Sequence, residues 1–566
     1  MKKKALLFLF IVLIVAVLTG CSKRETEPVI SFDAGGGTTV GDCKNVVESF
    51  PYSRRDGYKI DGWFVDENYS ERAIFPYYAA KDTVLHARWV SVEEGNNEIE
   101  YERVEGGRGF YAVSLNTKSY SVCIPDTHLA EPVYGIKRGF LTNKSYVDTL
   151  VLGKYVNDVQ DDLTRYTNLS TIEVNADSEY LKVEYGALVD KTTNTLVAYP
   201  LKRKTDVLTL DCIVTGDVLR YNSVVKTVVL KDNASIVGTP FRYMSNLSTI
   251  TVEDGNGTLT TENGILYSKD KAVLYACPAG RKMTEFVIPS GVKEILDGSL
   301  ENEFVTKITL GKDVEKYADY SYTPALTEFA VDKDNIYFSA RNGMLFTKDG
   351  KKLVRYPQGA VGKAIVPDGT EEIGIFAFTQ SGKMTAVDLP ASLKKIDGYA
   401  FEGCGLLSTV TFAQDSMIEE IKDSAFSGCH DLAKMTMTSR KPPETGSFLF
   451  DSLKENSGFK LVIPANAREI YAYYWSFAYE YLDATGFPLT TYTVSFITDG
   501  GTEIAPIHGV FIRDVATPKK TGMIFAGWYA DENKSLASYT TFPMIITDHL
   551  TLYAEWEYDL TPTDAE

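Results

Sequence analysis

Two stretches, residues 387–404 (VDLPASLKKIDGYAFEGC) and residues 418–429 (IEEIKDSAFSGC), decide the fold of this chain. Both contain an isoleucine, an Ala-Phe pair and a Gly-Cys pair, in the same order. The phenylalanine recurs at intervals of 23 and 25 residues, at Phe378, Phe401 and Phe426. Apolar residues that recur with this period predict a solenoid, because each coil can bury its apolar positions only against the neighbouring coil.

The full pattern, LP…L..I…AF.GC..L..V, resembles the BspA-type leucine-rich repeat of bacterial surface proteins. The family's Ile-Pro element has counterparts after an aliphatic residue at Pro289, Pro367, Pro390 and Pro464. The resemblance implies a β-rich solenoid of short parallel strands with irregular returns and few helices. One face of such an array is expected to be a continuous parallel sheet. We assign residues 106–485 to the array, although residues 106–165 and 201–245 fit the short repeat poorly.

A longer period of 78 and 79 residues overlies the short one, and it relates Leu169, Leu247 and Leu326. Each long unit contains a predicted hairpin. The third hairpin is expected to turn at Asp349-Gly350, since Asp-Gly is a common two-strand turn.

The array is bracketed by two copies of a smaller unit, residues 29–91 and 490–557. The motif Asp-Gly-Trp-Phe at 61–64 recurs as Ala-Gly-Trp-Tyr at 526–529, within longer matching segments whose offset is 464 to 467 residues. Both copies resemble the internalin-type B repeat, a β-grasp-like module. In that family the module is a spacer or a weak adhesion module, and it brings no catalytic residue. We expect Trp63 and Trp528 to pack in the module cores, with ligand binding as the alternative.

The array should end in a cap. Residues 468–482 place Ile470, Tyr474, Phe477 and Tyr481 at helical spacing, which predicts a helix that covers the last coil. An aromatic platform for a glycan is the alternative interpretation of these side chains.

The N-terminus predicts a lipid anchor. Three lysines precede fourteen apolar residues, 5–18, which as a helix would span roughly 21 Å, less than the ~30 Å of a hydrocarbon core. The segment is therefore interpreted as a signal peptide, residues 1–20. Leu18-Thr19-Gly20-Cys21 resembles the lipobox of bacterial lipoproteins, which implies cleavage before Cys21 and lipidation of its thiol, with residues 21–28 as a tether. An ordinary secretory signal is the alternative.

Charge and cysteine content narrow the classes of partner and site. The formal net charge of −18 becomes −21 once residues 1–20, with three lysines and no acids, are removed, so we expect no nucleic-acid partner. Cys404 and Cys429 occupy the same repeat position and are predicted to be buried free thiols, with a disulfide between them as the alternative.

We find no motif for chemistry. No two of the five histidines are spaced i, i+4, and no nucleophile elbow, P-loop or dinucleotide motif is present in a supporting context. We therefore predict no catalytic residue, no metal site, no cofactor and no enzyme activity. Residues 92–105 are interpreted as a solvated acidic linker and residues 558–566 as a tail.

The leading hypothesis is an envelope lipoprotein that binds a host or bacterial macromolecule through its array. The resemblance implies an outer membrane location facing the exterior. The alternatives are a glycan-capture lipoprotein of a polysaccharide uptake system and a structural scaffold of the envelope.

Overall fold

The computed structural model describes residues 27–559 apart from residues 97, 117–118, 164–167, 319, 451–457 and 536–538. Cys21, the predicted signal peptide and residues 560–566 lie outside the described residues. The chain forms two compact units. Unit 1 contains the residues up to Thr205 together with Cys212–Val214, and unit 2 contains Asp206–Asp211 together with the residues from Thr215 onward. The regular structure of the described residues is mostly β-strand, with two short helices, Arg468–Tyr474 and Ser476–Tyr481.

Unit 1 begins with the first module, a mixed four-stranded sheet closed by a small two-stranded sheet. The sheet strands, in spatial order, are Cys43–Lys44, Val29–Asp33, Thr83–Ser91 and Tyr58–Phe64, and the second pair is Val46–Val47 with Tyr77–Tyr78. The central pair is parallel, with Ile30 opposite Thr83. Trp63 lies fully buried in the core, which confirms its predicted packing role.

The remainder of unit 1 carries the first part of the array. Its strands are Ile99–Arg103, Phe110–Leu115, Ser121–Cys123, Thr127–His128, Glu131–Ile136, Thr149–Leu152, Asp158–Val159, Thr171–Val174, Leu181–Glu184, Ala187–Asp190, Thr195–Ala198 and the start of Ile213–Thr215. The parallel sheet formed by Ser121–Cys123, Thr149–Leu152 and Thr171–Val174 shows that residues 106–165, which fit the repeat pattern poorly, also form coils.

Residues 92–105 do not form the predicted solvated linker. Ile99–Arg103 pairs antiparallel with Phe110–Leu115, so five residues of this acidic stretch belong to a sheet. Asn96 is buried, and its side-chain oxygen accepts a hydrogen bond of 2.6 Å from the Cys123 N–H. Outward-facing acidic side chains alternate along the strand with Ile99 and Tyr101, which pack inward. The high charge of the stretch therefore hides the strand pattern in the sequence.

Unit 2 continues the array with two columns of parallel strands. The longer strands form sheets of three, three and six strands: Val207–Leu210, Thr227–Leu230 and Thr249–Val252; Glu285–Val287, Lys307–Leu310 and Glu328–Val331; and Gly362–Ile365, Met384–Leu389, Thr409–Phe412, Lys434–Thr436, Lys460–Pro464 and Leu482–Gly486. The short strands are Ser235–Val237, Glu294–Ile295, Lys316–Tyr317, Glu372–Ile373, Lys395–Ile396, Glu420–Ile421 and Glu444–Thr445.

Antiparallel three-stranded meanders interrupt the array once in each long repeat. Those of unit 2 are Leu259–Glu262, Ile265–Ser268 and Val273–Ala276, followed by Phe338–Arg341, Met344–Thr347 and Lys352–Arg355. The expected turn at Asp349-Gly350 is present between the last two strands. The expectation of one continuous parallel sheet was wrong. The last parallel strand before each meander forms a hydrogen bond with the meander instead of pairing with the next parallel strand. In one copy the Ile250 N–H donates to Gly264 O at 3.0 Å.

Each meander has a first strand that the sequence analysis missed. The turn that follows this strand has two residues with positive φ, Asn263-Gly264 in one copy and Asn342-Gly343 in the next. A left-handed turn of this kind favours Asn-Gly, so the dipeptide was a usable signal. At Gly343 (φ 74°), a side chain would also approach Thr327 O to 3.3 Å.

Stacked aromatic rings form the core of the last coils. Phe378 and Phe401 have centroids 4.6 Å apart, and Phe401 and Phe426 are 4.9 Å apart, close to the spacing of adjacent strands. Cys404 and Cys429 are fully buried beside this stack, as predicted, and both are free thiols. Their Sγ atoms donate hydrogen bonds to the carbonyls of Phe378 and Phe401, at 3.1 and 3.2 Å.

The cap is helical, but it uses a different face from the predicted one. Ile470 is buried as expected and Tyr481 packs partly buried against the core, whereas Tyr474 and Phe477 are exposed. The other buried residues of the cap are Tyr471, Trp475 and Ala478. The α-helix ends at Tyr474, and Trp475, with φ −116° and ψ 51°, starts the tighter 3-10 helix. This break changes the residue period, so a single 3.6-residue pattern misplaces the apolar face.

The second module closes unit 2 and repeats the topology of the first. Its strands are Tyr492–Ile497, Ile507–Gly509, Phe511–Ile512, Met523–Tyr529, Tyr539–Thr540, Met544–Ile545 and Leu550–Tyr558. Val494 lies opposite Leu550 in a parallel pair, the counterpart of Ile30 and Thr83. Trp528 is buried, as predicted.

Candidate binding surfaces

A column of aromatic side chains, the outer aromatic row, lies on the surface of unit 2. Its members are Tyr320, Phe376, Tyr399 and Phe448, each three or four residues after the start of a short strand of the array. Tyr399 and Phe448 are 39% and 65% exposed. The rings of Tyr320 and Phe376 are 5.0 Å apart and those of Phe376 and Tyr399 are 5.4 Å apart, so these three rings form a continuous aromatic surface. Phe448 lies two coils beyond Tyr399, because the intervening coil has Ser424 at this position.

The backbone of this row is left-handed. Phe376, Tyr399 and Phe448 have φ values of 54°, 55° and 60°, and Ser424, at the same position of the intervening coil, has 53°. A bulky residue in this region costs on the order of 1–3 kcal/mol. Gly298 fills the position in an earlier coil without that cost. Aromatic rings are therefore held on the surface where glycine would favour folding, a pattern typical of a functional position.

A second aromatic pair lies on earlier coils of unit 2. Tyr221 and Tyr243 also have positive φ, and their rings stack with centroids 5.2 Å apart. The Arg220 guanidinium lies 4.9 and 4.6 Å from the two centroids, and it pairs with Asp217 at 3.2 Å. The arginine covers one side of this pair, and Tyr221 is 60% exposed.

A cleft in unit 1, the hydroxyl cleft, lies between the first module and the starts of the adjacent array strands. It encloses about 430 Å³, and the module contributes Tyr52, Tyr58 and Lys59 to its wall. The array contributes Thr171 and Glu173. Lys59 Nζ lies 2.5 Å from a carboxylate oxygen of Glu173, so the two charges in the cleft neutralise one another.

The walls of the hydroxyl cleft are fixed by direct contacts between the module and the array. The rings of Phe50 and Tyr120 stack face to face, 3.7 Å apart. The Ser121 hydroxyl donates to Ile60 O at 2.6 Å. Burial raises the pKa of the Tyr120 phenol, and desolvation raises the pKa of Tyr52, so both stay neutral and able to donate.

Asp61 is the ionic centre of the same contact. Its side chain is 1% exposed and pairs with the guanidinium groups of Arg72 and Arg88, and the Ser119 hydroxyl of the array also donates to it. Asp61 sits at a β-bulge, which directs its side chain away from the regular alternation of the strand. The equivalent bulge residue of the second module is Ala526, so this contact is specific to the first module.

A further cavity of about 430 Å³ lies between the cap and the second module. Tyr473 and Tyr479 are exposed at its wall, with Glu469 and Arg513 as its charged groups. The exposed face of the cap is therefore the one that lines this cavity.

The described residues contain no group of three or more His, Cys, Asp or Glu side chains that could hold a metal ion. His86 pairs with Asp33 at 3.1 Å and His128 stacks on Tyr101, while His508 and His549 both bond to Thr493. Cys21, the one site residue predicted from the sequence, lies outside the described residues, so its lipidation stays a prediction.

Two family models match the chain. Residues 358–482 match the BspA type Leucine rich repeat region in six copies, and residues 492–555 match the Listeria-Bacteroides repeat domain. The repeat family predicted for the array and the family predicted for the second module are thus confirmed over these residues. The sheet of the first module has the same central parallel pairing and the same bulge as the second.

Curated relatives cover only a small part of the chain. A protein of Evansella cellulosilytica named "Putative membrane protein" is 38% identical over 76 residues, which are 13% of this chain and 11% of that protein. A second protein of the same organism, named "Putative Gly-rich membrane protein", is 33% identical over 73 residues. The chain spans about a tenth of the length of these relatives.

Solved structures align with longer segments at low identity. A leucine rich cell surface protein from Faecalibacterium prausnitzii is 17% identical, with 64% of this chain and 96% of that chain covered and a TM-score of 0.33. A leucine-rich repeat protein from Eubacterium ventriosum is 19% identical, with 64% and 97% covered and a TM-score of 0.34.

Helices of membrane-spanning length and apolarity are not found between residues 27 and 559, within the ranges that the structure describes.

Proposed function

We propose that this chain, whose residues 358–482 are a BspA-type leucine-rich repeat region, is a lipid-anchored protein of the bacterial cell envelope that binds a macromolecular ligand through its array. The anchor is the diacylglyceryl group expected on Cys21. The ligand is a protein or glycan of a host or bacterial surface, and the negative net charge makes nucleic acid a poor partner.

The outer aromatic row carries this proposal. Exposed aromatic side chains are enriched at the energetic centres of interfaces, because they bury a large area and lose little conformational entropy. Here they are retained at left-handed positions that disfavour them, where a purely structural coil would use glycine. The names of the Evansella cellulosilytica relatives, which describe membrane proteins, are compatible with an envelope location.

The anchor is tested by protease shaving of intact cells that express wild type or Cys21→Ala. We expect array peptides to be released from wild-type cells and the variant to be found in the medium or periplasm. Protection of the array until the cells are lysed would contradict surface presentation and would favour the envelope scaffold. A variant that stays membrane-bound would contradict lipidation at Cys21.

The binding role is tested with fluorescently labelled full-length chain on intact bacteria and on cultured epithelial cells. We expect saturable binding that falls at least about tenfold, ~1.4 kcal/mol, in the triple variant Phe376→Ser, Tyr399→Ser, Phe448→Ser. Serine is the natural residue of the row position at Ser424. Tyr337→Ser, an exposed tyrosine outside the row, is the matched control. Equal binding by wild type and triple variant would exclude the row as the binding surface.

A further inference from the structure

The hydroxyl cleft of unit 1 has the composition of a site for a neutral polyol. Seven of the eleven side chains that line it carry a hydroxyl group: Tyr52, Ser53, Tyr58, Tyr120, Ser121, Thr149 and Thr171. Its volume of about 430 Å³ falls within the ~300–1,000 Å³ of typical small-ligand sites.

Tyr52 provides a free aromatic surface at the mouth of this cleft. Its side chain is 66% exposed, and Phe50 touches it only edge-on, with centroids 6.5 Å apart. The Tyr58 ring, by contrast, is covered on one face by the Arg55 guanidinium at 4.1 Å. An exposed ring beside hydroxyl groups matches the two faces of a pyranose, whose C–H groups pack on the ring while its hydroxyls bond to polar neighbours.

The electrostatics favour an uncharged ligand. Lys59 and Glu173 form a close ion pair, so neither side chain offers a net charge to a ligand. Lys59 still has ammonium protons to donate and Glu173 still has lone pairs to accept, which suits vicinal hydroxyl groups. Thr171 Oγ1 lies 3.2 Å from Ser170 Oγ, and its hydroxyl also forms a hydrogen bond with the Tyr52 phenol, which places a hydroxyl group beside the exposed ring.

The cleft is also built in advance of any ligand. The Phe50–Tyr120 stack and the bond from Ser121 to Ile60 fix its two walls relative to one another. Asp61, with its two arginines and Ser119, adds a buried ionic contact behind the cleft. A preformed site loses less conformational entropy on binding than a flexible one.

We propose that the hydroxyl cleft binds a neutral oligosaccharide, with a sugar ring packed on Tyr52 and its hydroxyls bonded to Lys59, Glu173 and Thr171. None of these residues belongs to the outer aromatic row. The inference therefore adds a second, small-ligand site to the proposed function and names its ligand class.

The test uses the purified full-length chain and isothermal titration calorimetry. The probes are neutral tetrasaccharides: maltotetraose, cellotetraose, laminaritetraose, mannotetraose, xylotetraose and chitotetraose. We expect at least one to bind with a micromolar-to-millimolar Kd, and Tyr52→Ala and Lys59→Met each to weaken that binding at least about tenfold. Tyr78→Ala is the matched control, because Tyr78 is 71% exposed on the same module but outside the cleft.

Three outcomes would overturn the proposal. They are the absence of binding by all six probes, binding that Tyr52→Ala leaves unchanged, and binding confined to a sulfated probe such as heparin tetrasaccharide. The triple variant of the outer aromatic row separates the two proposals: it should bind the tetrasaccharide like wild type while losing cell binding. Circular dichroism of Tyr52→Ala and Lys59→Met checks that unit 1 remains folded.

Discussion

The side-chain amide of Asn335 donates a hydrogen bond to the carbonyl oxygen of Gly311, 2.9 Å away and 24 residues earlier in the chain. The same nitrogen donates to Val314 O at 3.0 Å, and the side-chain oxygen accepts from the N–H groups of Tyr337 and Phe338. One fully buried side chain thus satisfies four main-chain groups on two successive coils. Asn256 and Asn302 make the same four kinds of contact in their own coils.

We expect Asn335→Ala to lower the free energy of unfolding of unit 2 by about 2–4 kcal/mol, because it leaves four buried main-chain groups without hydrogen-bond partners. Asn222 is the matched control: it accepts from Val224 and Val225 N–H, but its buried side-chain nitrogen has no partner in the structure. Asn222→Ala should therefore lower the free energy of unfolding by at least about 1 kcal/mol less than Asn335→Ala does. Urea unfolding followed by circular dichroism measures both, and equal costs would show that the bonds to the preceding coil contribute nothing.

Phe448→Gly is expected to stabilise unit 2 by up to about 1 kcal/mol. The residue is 65% exposed with φ 60°, so the substitution removes left-handed strain and little buried area. Phe448→Ala is the control, because alanine removes the ring but keeps the Cβ that disfavours this conformation. Thermal unfolding of the two variants separates the effects. A glycine variant whose unfolding temperature is no higher than that of the alanine variant would show that the backbone is not strained at this position.

Asp61→Ala is expected to destabilise unit 1 by about 3–5 kcal/mol, because it leaves the charges of Arg72 and Arg88 without their buried partner. The second module has alanine at the equivalent position, Ala526, and an alanine side chain cannot form such an ion pair. Asp56→Ala, at a nearly fully exposed carboxylate, should change stability by less than about 0.5 kcal/mol. Hydrogen exchange at strand Thr83–Ser91 reports the loss locally, and unchanged protection there would contradict the role of Asp61.

Stability is expected to fall in alkali between about pH 10 and pH 12. Burial raises the pKa of Tyr101 and Tyr199 from the ordinary value of 10.0 to about 12. Because the folded-state pKa lies above the unfolded one, the contribution to stability is complete below pH 10 and is lost as the pH rises through 12. Absorbance at 295 nm should show the exposed tyrosines ionising first, with Tyr101 and Tyr199 following. Tyr101→Phe should reduce the alkaline loss, and an unchanged loss would contradict this assignment.

The elements that the sequence predicted well are those with a strict local period. The Phe378–Phe401–Phe426 stack follows directly from a repeat of 23 and 25 residues, since each ring must meet the ring of the next coil. The helix of the cap was predicted, but its buried face was not, because the break at Trp475 is set by packing on the last coil. The acidic residues of 92–105 likewise concealed a strand whose partner, Phe110–Leu115, supplies its hydrogen bonds.

The sequence by itself determined the repeat, the two modules and the buried positions of Trp63, Trp528 and the thiols, and it predicts an anchor at Cys21. Only the tertiary structure decided which residues form surfaces. The outer aromatic row joins side chains from separate coils, and the hydroxyl cleft joins Tyr52 to Thr171, more than a hundred residues later. Burial follows from local periodicity, because one coil repeats the environment of the last. A binding surface depends on distances between residues remote in sequence, and those distances exist only after the coils stack and the module docks.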